Sequence, residues 1–174
     1  MAKNKKIIIG LSTAGSRIKV ALKHGADKFK AKSIKEPNQE KVFLKIIEKF
    51  LSFEKAEFKD LDSLCIVKGP GRFTGIRISL TFAAMLKVLV GLKVFTITGF
   101  EILAFQASVN LRFKKWLVTA KNPKIAVIIH AFKKEYFLQV FKAMPGVVSM
   151  SYAHQATKAM PGVVSMSYAH QATK

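Results

Sequence analysis

The residue types and spacing best suited to chemistry are concentrated in Lys68-Gly-Pro-Gly-Arg-Phe-Thr-Gly-Ile-Arg77. Gly69 and Gly71 allow backbone angles that a side chain forbids, Pro70 stiffens the turn, and Gly75 permits close approach in a first helical turn. A loop of this kind, joining a strand end to a helix start, has two readings. It can present helix N–H groups to an anion. It can equally be a tight structural turn beneath a packed helix, and the residues alone leave both open. It is not the usual nucleotide phosphate loop, because no Gly-Lys-Ser/Thr follows.

Elsewhere the chemistry is thin. His24 and His130 are far apart and read as core or surface histidines rather than a ligand pair. Cys65 is the one cysteine, which excludes an internal disulfide and a zinc cage of several cysteines. It lies in an apolar run and reads as an inert buried thiol. Asp60 and Asp62 read as solvated turn residues rather than a catalytic pair. Trp116 stands among Arg112, Lys114, Lys115 and Lys121. A base-stacking platform is one reading of it; a half-buried ring in a linker between lobes is the favoured one. No metal site and no cofactor site is expected.

These residues sit in a chain of 174 residues with a net charge of +20, long enough for one domain or two small lobes. Half of it is hydrophobic, which excludes wholesale disorder. The only arginines are Arg17, Arg72, Arg77 and Arg112, so lysine dominates the cations. Phosphate sites usually lean on the arginine fork. A compositional bias is therefore the preferred account of the charge over a selected electrostatic surface. Either way, such a charge attracts an acidic partner or tRNA non-specifically at low salt. The basic start gives way too soon to Gly10 and Ser12 for a signal peptide, so a cytoplasmic protein is expected.

The elements that must position the loop follow from periodicity. Residues 6–11, 17–23 and 27–33 read as three strands joined by short turns. Residues 38–53 read as a helix after Pro37, with Val42, Phe43, Ile46, Ile47, Phe50 and Leu51 at helical spacing. Residues 63–68 read as a short buried strand, 74–90 as a helix closed by Gly91, and 93–98 as another strand. Thr98-Gly-Phe-Glu101 has capping-box form and starts a helix to about Ala107. Residues 124–130 and 135–141 read as a strand pair opening a second lobe. The apolar run 78–100 resembles a membrane span, but Lys87, Lys93 and Gly91 interrupt it, and a buried helix followed by a buried strand is preferred. On the helix 74–90, Ile78, Phe82, Met85, Leu86 and Leu89 are expected to face the sheet. Arg77, Leu80, Ala84 and Lys87 share the other side. Residues 143–158 recur unchanged as 159–174. That tail is set outside the fold, as a poorly ordered or artefactual segment, and its His154 and His170 are not metal candidates.

Gly-Pro-Gly-x-Phe-Thr-Gly-Ile-Arg at 69–77, then an apolar helix and Val94-Phe-Thr-Ile-Thr-Gly-Phe-Glu-Ile-Leu-Ala104, resembles the TsaB (YeaZ) family. The layout of the N-terminal hairpin 7–22 agrees, and the resemblance runs over about residues 5–142. It implies an α/β fold: an actin-like ATPase (ribonuclease H-like) lobe with a mixed sheet and flanking helices at 1–110, then the start of a second lobe, expected to be incomplete, at 111–142. It also implies a role in making threonylcarbamoyladenosine in tRNA, as a scaffold beside a TsaD-type catalytic subunit and a TsaE-type ATPase. The family motif loop falls on Gly69, Pro70, Gly71, Phe73, Thr74, Gly75 and Arg77. The family's first strand usually ends Leu-Asp-Thr-Ser, where this chain has Leu11-Ser12-Thr13-Ala14. Asn38-Gln39 stands where His-Ser is common, and His130-Ala131-Phe132-Lys133 where the second lobe usually opens with Asp-Ala-Arg.

The expected function is thus a non-catalytic subunit of a tRNA threonylcarbamoyl transferase complex. The helix 74–90 is its partner-binding element through Arg77, Leu80, Ala84 and Lys87, in a heterodimer or a possible homodimer. Contact with tRNA is expected to be indirect and no membrane partner is expected. Two rivals remain: a residual ATPase- or peptidase-like enzyme of the same superfold, and a general basic RNA-binding protein resting on charge alone.

Overall fold

The computed structural model describes residues 6–25, 28–131, 135–143 and 151–156. The chain divides into two compact units, Met1–Ile97 and Thr98–Lys174.

The first unit is built on a mixed five-stranded sheet in the order β3-β2-β1-β4-β5. Strands β1 (Ile7–Ser12), β2 (Arg17–His24) and β3 (Lys28–Lys35) form an antiparallel meander. Helix α1 (Gln39–Phe53) leads to β4 (Ser63–Val67), which pairs parallel with β1. Helix α2 (Phe73–Val90) leads to β5 (Lys93–Ile97), parallel to β4. Alternation decides the faces. Ile9, Leu11, Ile18, Val20, Leu22, Leu64 and Ile66 point to one side and are buried in one cluster with α1 and α2. Phe43 of α1 and Phe82 of α2 meet edge to face with ring centroids 5.2 Å apart, an arrangement that rewards aromatic pairs beyond their area. Gly91 closes α2 in the left-handed region at φ 65°, as its lack of a side chain permits.

Two expectations about α2 need correction. The helix runs from Phe73 to Val90 and the strand follows after Gly91, but neither is buried throughout. Helix α2 buries Gly75, Ser79, Phe82, Ala83 and Leu86. Of the residues expected to face the sheet, Met85 is 40% and Leu89 71% exposed. The reason is distance: glycine, serine and alanine let the helix lie close to the strands, and the close line of contact takes the small residues. Strand β5 lies at the end of the sheet, and its Phe95 is largely exposed. By length and hydropathy α2 is apolar enough to cross a membrane, but its inner stripe is the lid of a packed core.

The second unit opens with α3 (Gly99–Val109). Its capping box is made: Thr98 Oγ1 accepts from the Glu101 amide at 3.1 Å, and the Thr98 amide donates to Glu101 Oε2 at 2.6 Å. The segment read as a linker around Trp116 is a helix, α4 (Leu111–Thr119), whose N-cap Asn110 accepts from the amides of Arg112 and Phe113. Trp116 is half-buried and its ring centroid lies 5.2 Å from that of Phe113, on a small core of Ala104, Leu117, Ile125, Val127 and Phe141. Strands β6 (Lys124–His130) and β7 (Tyr136–Lys142) pair antiparallel. A third strand, β8 (Ser151–Ala156), joins β7 with a register shift at Val140/Phe141. It lies inside the repeat that the sequence set outside the fold. A short run without proline or glycine can complete a ladder on an open strand whatever its hydrophobic pattern. His170 and the rest of the second copy lie outside the described residues.

Candidate functional site

The loop that carries the sequence signal joins β4 to α2, and its glycines face inward. Gly69 sits at φ 117°, a conformation open mainly to glycine, and precedes a cis bond to Pro70. A Cβ on Gly71 would lie 2.2 Å from the Ala14 carbonyl oxygen, and one on Gly75 would lie 1.9 Å from that of Thr13. Both distances are impossible for a real side chain. The space beneath α2 is therefore filled by the backbone of the β1–β2 turn, not by an open cradle.

Polar bonds tie the same parts together. The Arg72 amide donates to the Ala14 carbonyl at 2.7 Å, so one amide at the helix start is already used. The Thr13 hydroxyl donates to the Gly75 carbonyl at 2.5 Å from a fully buried position. The Gln39 amide, from the first turn of α1, donates to the Gly15 carbonyl at 3.0 Å. Buried polar groups are costly unless paired, and here each closes a link between β1, α1 and α2. Of the two readings left open for the glycine loop, this geometry supports the structural turn. Sequence reasoning missed Thr13 and Gln39 as members of it. Parity was the available signal, since Thr13 continues the inward series Ile7, Ile9, Leu11.

Outside the turn, Phe73, Thr74 and Arg77 are exposed, and the Arg77 guanidinium lies over the Phe73 ring at 5.3 Å. Arg77, Leu80, Ala84 and Lys87 all lie on the exposed side of α2, beside Met85, Val88 and Leu89. Between this face and α1 runs an open groove of about 410 Å³, lined among others by Glu40, Leu44, Arg77, Ile78 and Met85. Cys65 points to the other side of the sheet and is only partly buried, not buried as expected, because its side chain lies on the face away from α1 and α2; that partial burial raises its thiol pKa. His24 lies at the end of β2 and His130 at the end of β6, in different units. Among the described residues no group of three or more histidine, cysteine or acidic side chains is placed to hold a metal.

A mixed sheet in this order, with its glycine loop locked under a helix, defines the first unit as an actin-like (ribonuclease H-like) α/β lobe. Solved structures agree on the fold. YeaZ from Pseudomonas aeruginosa superposes with a TM-score of 0.69 at 19% identity, over 94% of this chain and 71% of that one. A Pseudomonas aeruginosa protein described as similar to the peptidase YeaZ gives a TM-score of 0.69 at 20% identity, over 95% and 72%. The family model described as TsaD, tRNA N6-adenosine threonylcarbamoyltransferase, matches residues 33–164, and the chain belongs to this family as a member of TsaB/YeaZ type. Two curated relatives are both described as tRNA threonylcarbamoyladenosine biosynthesis protein TsaB. That of Buchnera aphidicola subsp. Schizaphis graminum (strain Sg) is 39% identical over 49% of this chain. That of Buchnera aphidicola subsp. Acyrthosiphon pisum (strain APS) is 33% identical over 54% of it. The matches span 40% and 38% of those relatives' lengths.

Proposed function

We propose that this chain serves the making of N6-threonylcarbamoyladenosine in tRNA, as a non-catalytic scaffold that docks on a TsaD-type catalytic subunit through α2. Membership of the family supports the pathway. The observation that carries the docking reading is the outer side of α2, where Leu80, Met85, Val88 and Leu89 are exposed. Soluble proteins seldom leave such a patch bare without a partner. The glycine loop supports the non-catalytic part, because its inward glycines are occupied by the Thr13–Gly15 backbone and Ser12 brings no carboxylate to hold a metal–nucleotide.

The test is reconstitution. The chain, a TsaD-type subunit, threonylcarbamoyl-adenylate and tRNA are combined, and modified nucleoside is measured by mass spectrometry. Product is expected only when both proteins are present, and Ala84→Glu is expected to remove it together with co-elution of the pair. Product from this chain alone, or an unimpaired Ala84→Glu complex, overturns the reading.

A further inference from the structure

The strands of the β2–β3 hairpin carry cations only, although Asp27 falls in the connection between them. Strands β2 and β3 carry Arg17, Lys19, Lys23, Lys28, Lys30, Lys32 and Lys35 and no acidic residue. The following stretch mixes Glu36, Glu40, Glu48, Glu54, Glu57, Asp60 and Asp62 with Lys41, Lys45, Lys49, Lys55 and Lys59. A lysine-rich composition by itself would scatter cations among acids.

Register puts the hairpin cations on definite faces. Arg17 stands opposite Lys35, Lys19 opposite Ser33 and Lys23 opposite Phe29. All of them lie on the side of the sheet away from α1 and α2, with the small pair Ala21 and Ala31 between Lys19 and Lys23. Arg17 to Lys23 covers about 20 Å at ~3.4 Å per residue. Arg17 is held in place, its Nε donating to Ser33 Oγ at 2.8 Å and its Nη2 to the Ser33 carbonyl at 2.9 Å. The Phe29 ring is 66% exposed at the end of this row. Among the described residues, none of these cations is in an ion pair.

Lysines on an edge strand have an ordinary explanation, since they deter pairing with another sheet. That accounts for Lys28, Lys30, Lys32 and Lys35 on β3. It does not account for Arg17, Lys19 and Lys23, because β2 is hydrogen-bonded on both sides and has no edge to protect. Nor does it account for a bare phenylalanine beside them. A cationic track with a flat ring in it matches a single-stranded nucleic acid, whose phosphates want the charges and whose bases stack on the ring. We propose that the β2–β3 face is a contact surface for a single-stranded segment of RNA. The inference stands apart from the partner assignment to α2, because it concerns the opposite side of the sheet and is read out without a partner protein.

The experiment uses the full chain and fluorescein-labelled oligouridylate, with anisotropy followed across a salt series. Lys19→Gln, Lys23→Gln and Lys35→Gln together remove three exposed cations that are in no ion pair among the described residues. Lys41→Gln, Lys45→Gln and Lys49→Gln together remove three from α1, giving the same net charge. The β2–β3 triple variant is expected to flatten the plot of log affinity against log salt by about 2, at ~0.7 per phosphate contact. The α1 triple variant is expected to leave it nearly unchanged. Phe29→Ala is expected to weaken binding by about tenfold with the salt slope kept. Equal losses from both triple variants overturn the proposal, because binding would then follow net charge alone. Oligouridylate binding untouched by the β2–β3 changes overturns it too, including the case where those changes abolish binding only to phosphatidylserine vesicles.

Discussion

The two faces of α2 are made from the same kind of sequence and do opposite things. The inner face is Gly75, Ser79, Phe82, Ala83 and Leu86, and three of these five are small. The outer face holds Leu80, Met85, Val88 and Leu89, all exposed. The inner face has small residues where it lies on backbone, and the outer face mixes its apolar side chains with Arg77, Ala84 and Lys87. A helix that lies against backbone, as α2 does over Thr13 and Ala14, must place its smallest residues at the contact. Met85 and Leu89 then stand off the line of contact, where they are free to meet something else.

The largest effect that sharpens this contrast is expected from Phe82→Glu. The ring is buried between Phe43 and Phe58, and its loss together with an unpaired buried charge costs on the order of 5 kcal/mol or more. Circular dichroism should show an unfolded chain. Next comes Gly75→Ala, since no Cβ fits 1.9 Å from the Thr13 carbonyl. Helix and turn must separate, at about 3 kcal/mol, or roughly 10 °C in melting temperature. A Gly75→Ala protein as stable as the parent would break the claim that closeness decides the inner face.

Ala84→Glu on the outer face should change stability by no more than about 0.5 kcal/mol, while abolishing pairing in size-exclusion chromatography. If it unfolds like Phe82→Glu, both faces are core and the comparison fails. The smallest effect belongs to Cys65, on the sheet face away from α2. Its thiol pKa is raised by burial, so the unfolded chain gives up this proton first. Stability contributed by the protonated thiol is present below the unfolded pKa and falls as pH rises from there towards the folded one. Cys65→Ala should therefore lose slightly less stability between neutral and alkaline pH than the parent, as read from paired melting curves.

Much of this was legible in the sequence. The order of strands and helices in the first unit, the Gly91 cap and the Thr98–Glu101 box all follow from local rules, because each depends on neighbours within a few residues. The glycine loop was found by type, but its partner was not, because the Thr13–Gly15 turn lies far away in sequence. Periodicity alone turns Met85 and Leu89 inward, because it gives the angle of a face and not how near the sheet it stands. Asn110 announces α4, but its cations and single tryptophan mask a short apolar pattern. Strand β8 had no signal at all, for its place is decided by the open edge of β7.

The Thr13–Gly75 bond also sets a timescale. It joins residues 62 apart, whereas β1, β2 and β3 pair through short turns. Local pairings close early and distant ones late. Contacts that close after the rate-limiting step govern how fast a fold comes apart more than how fast it forms. Loosening this bond should therefore shorten the lifetime of the folded state while leaving the rate of its formation nearly as it was.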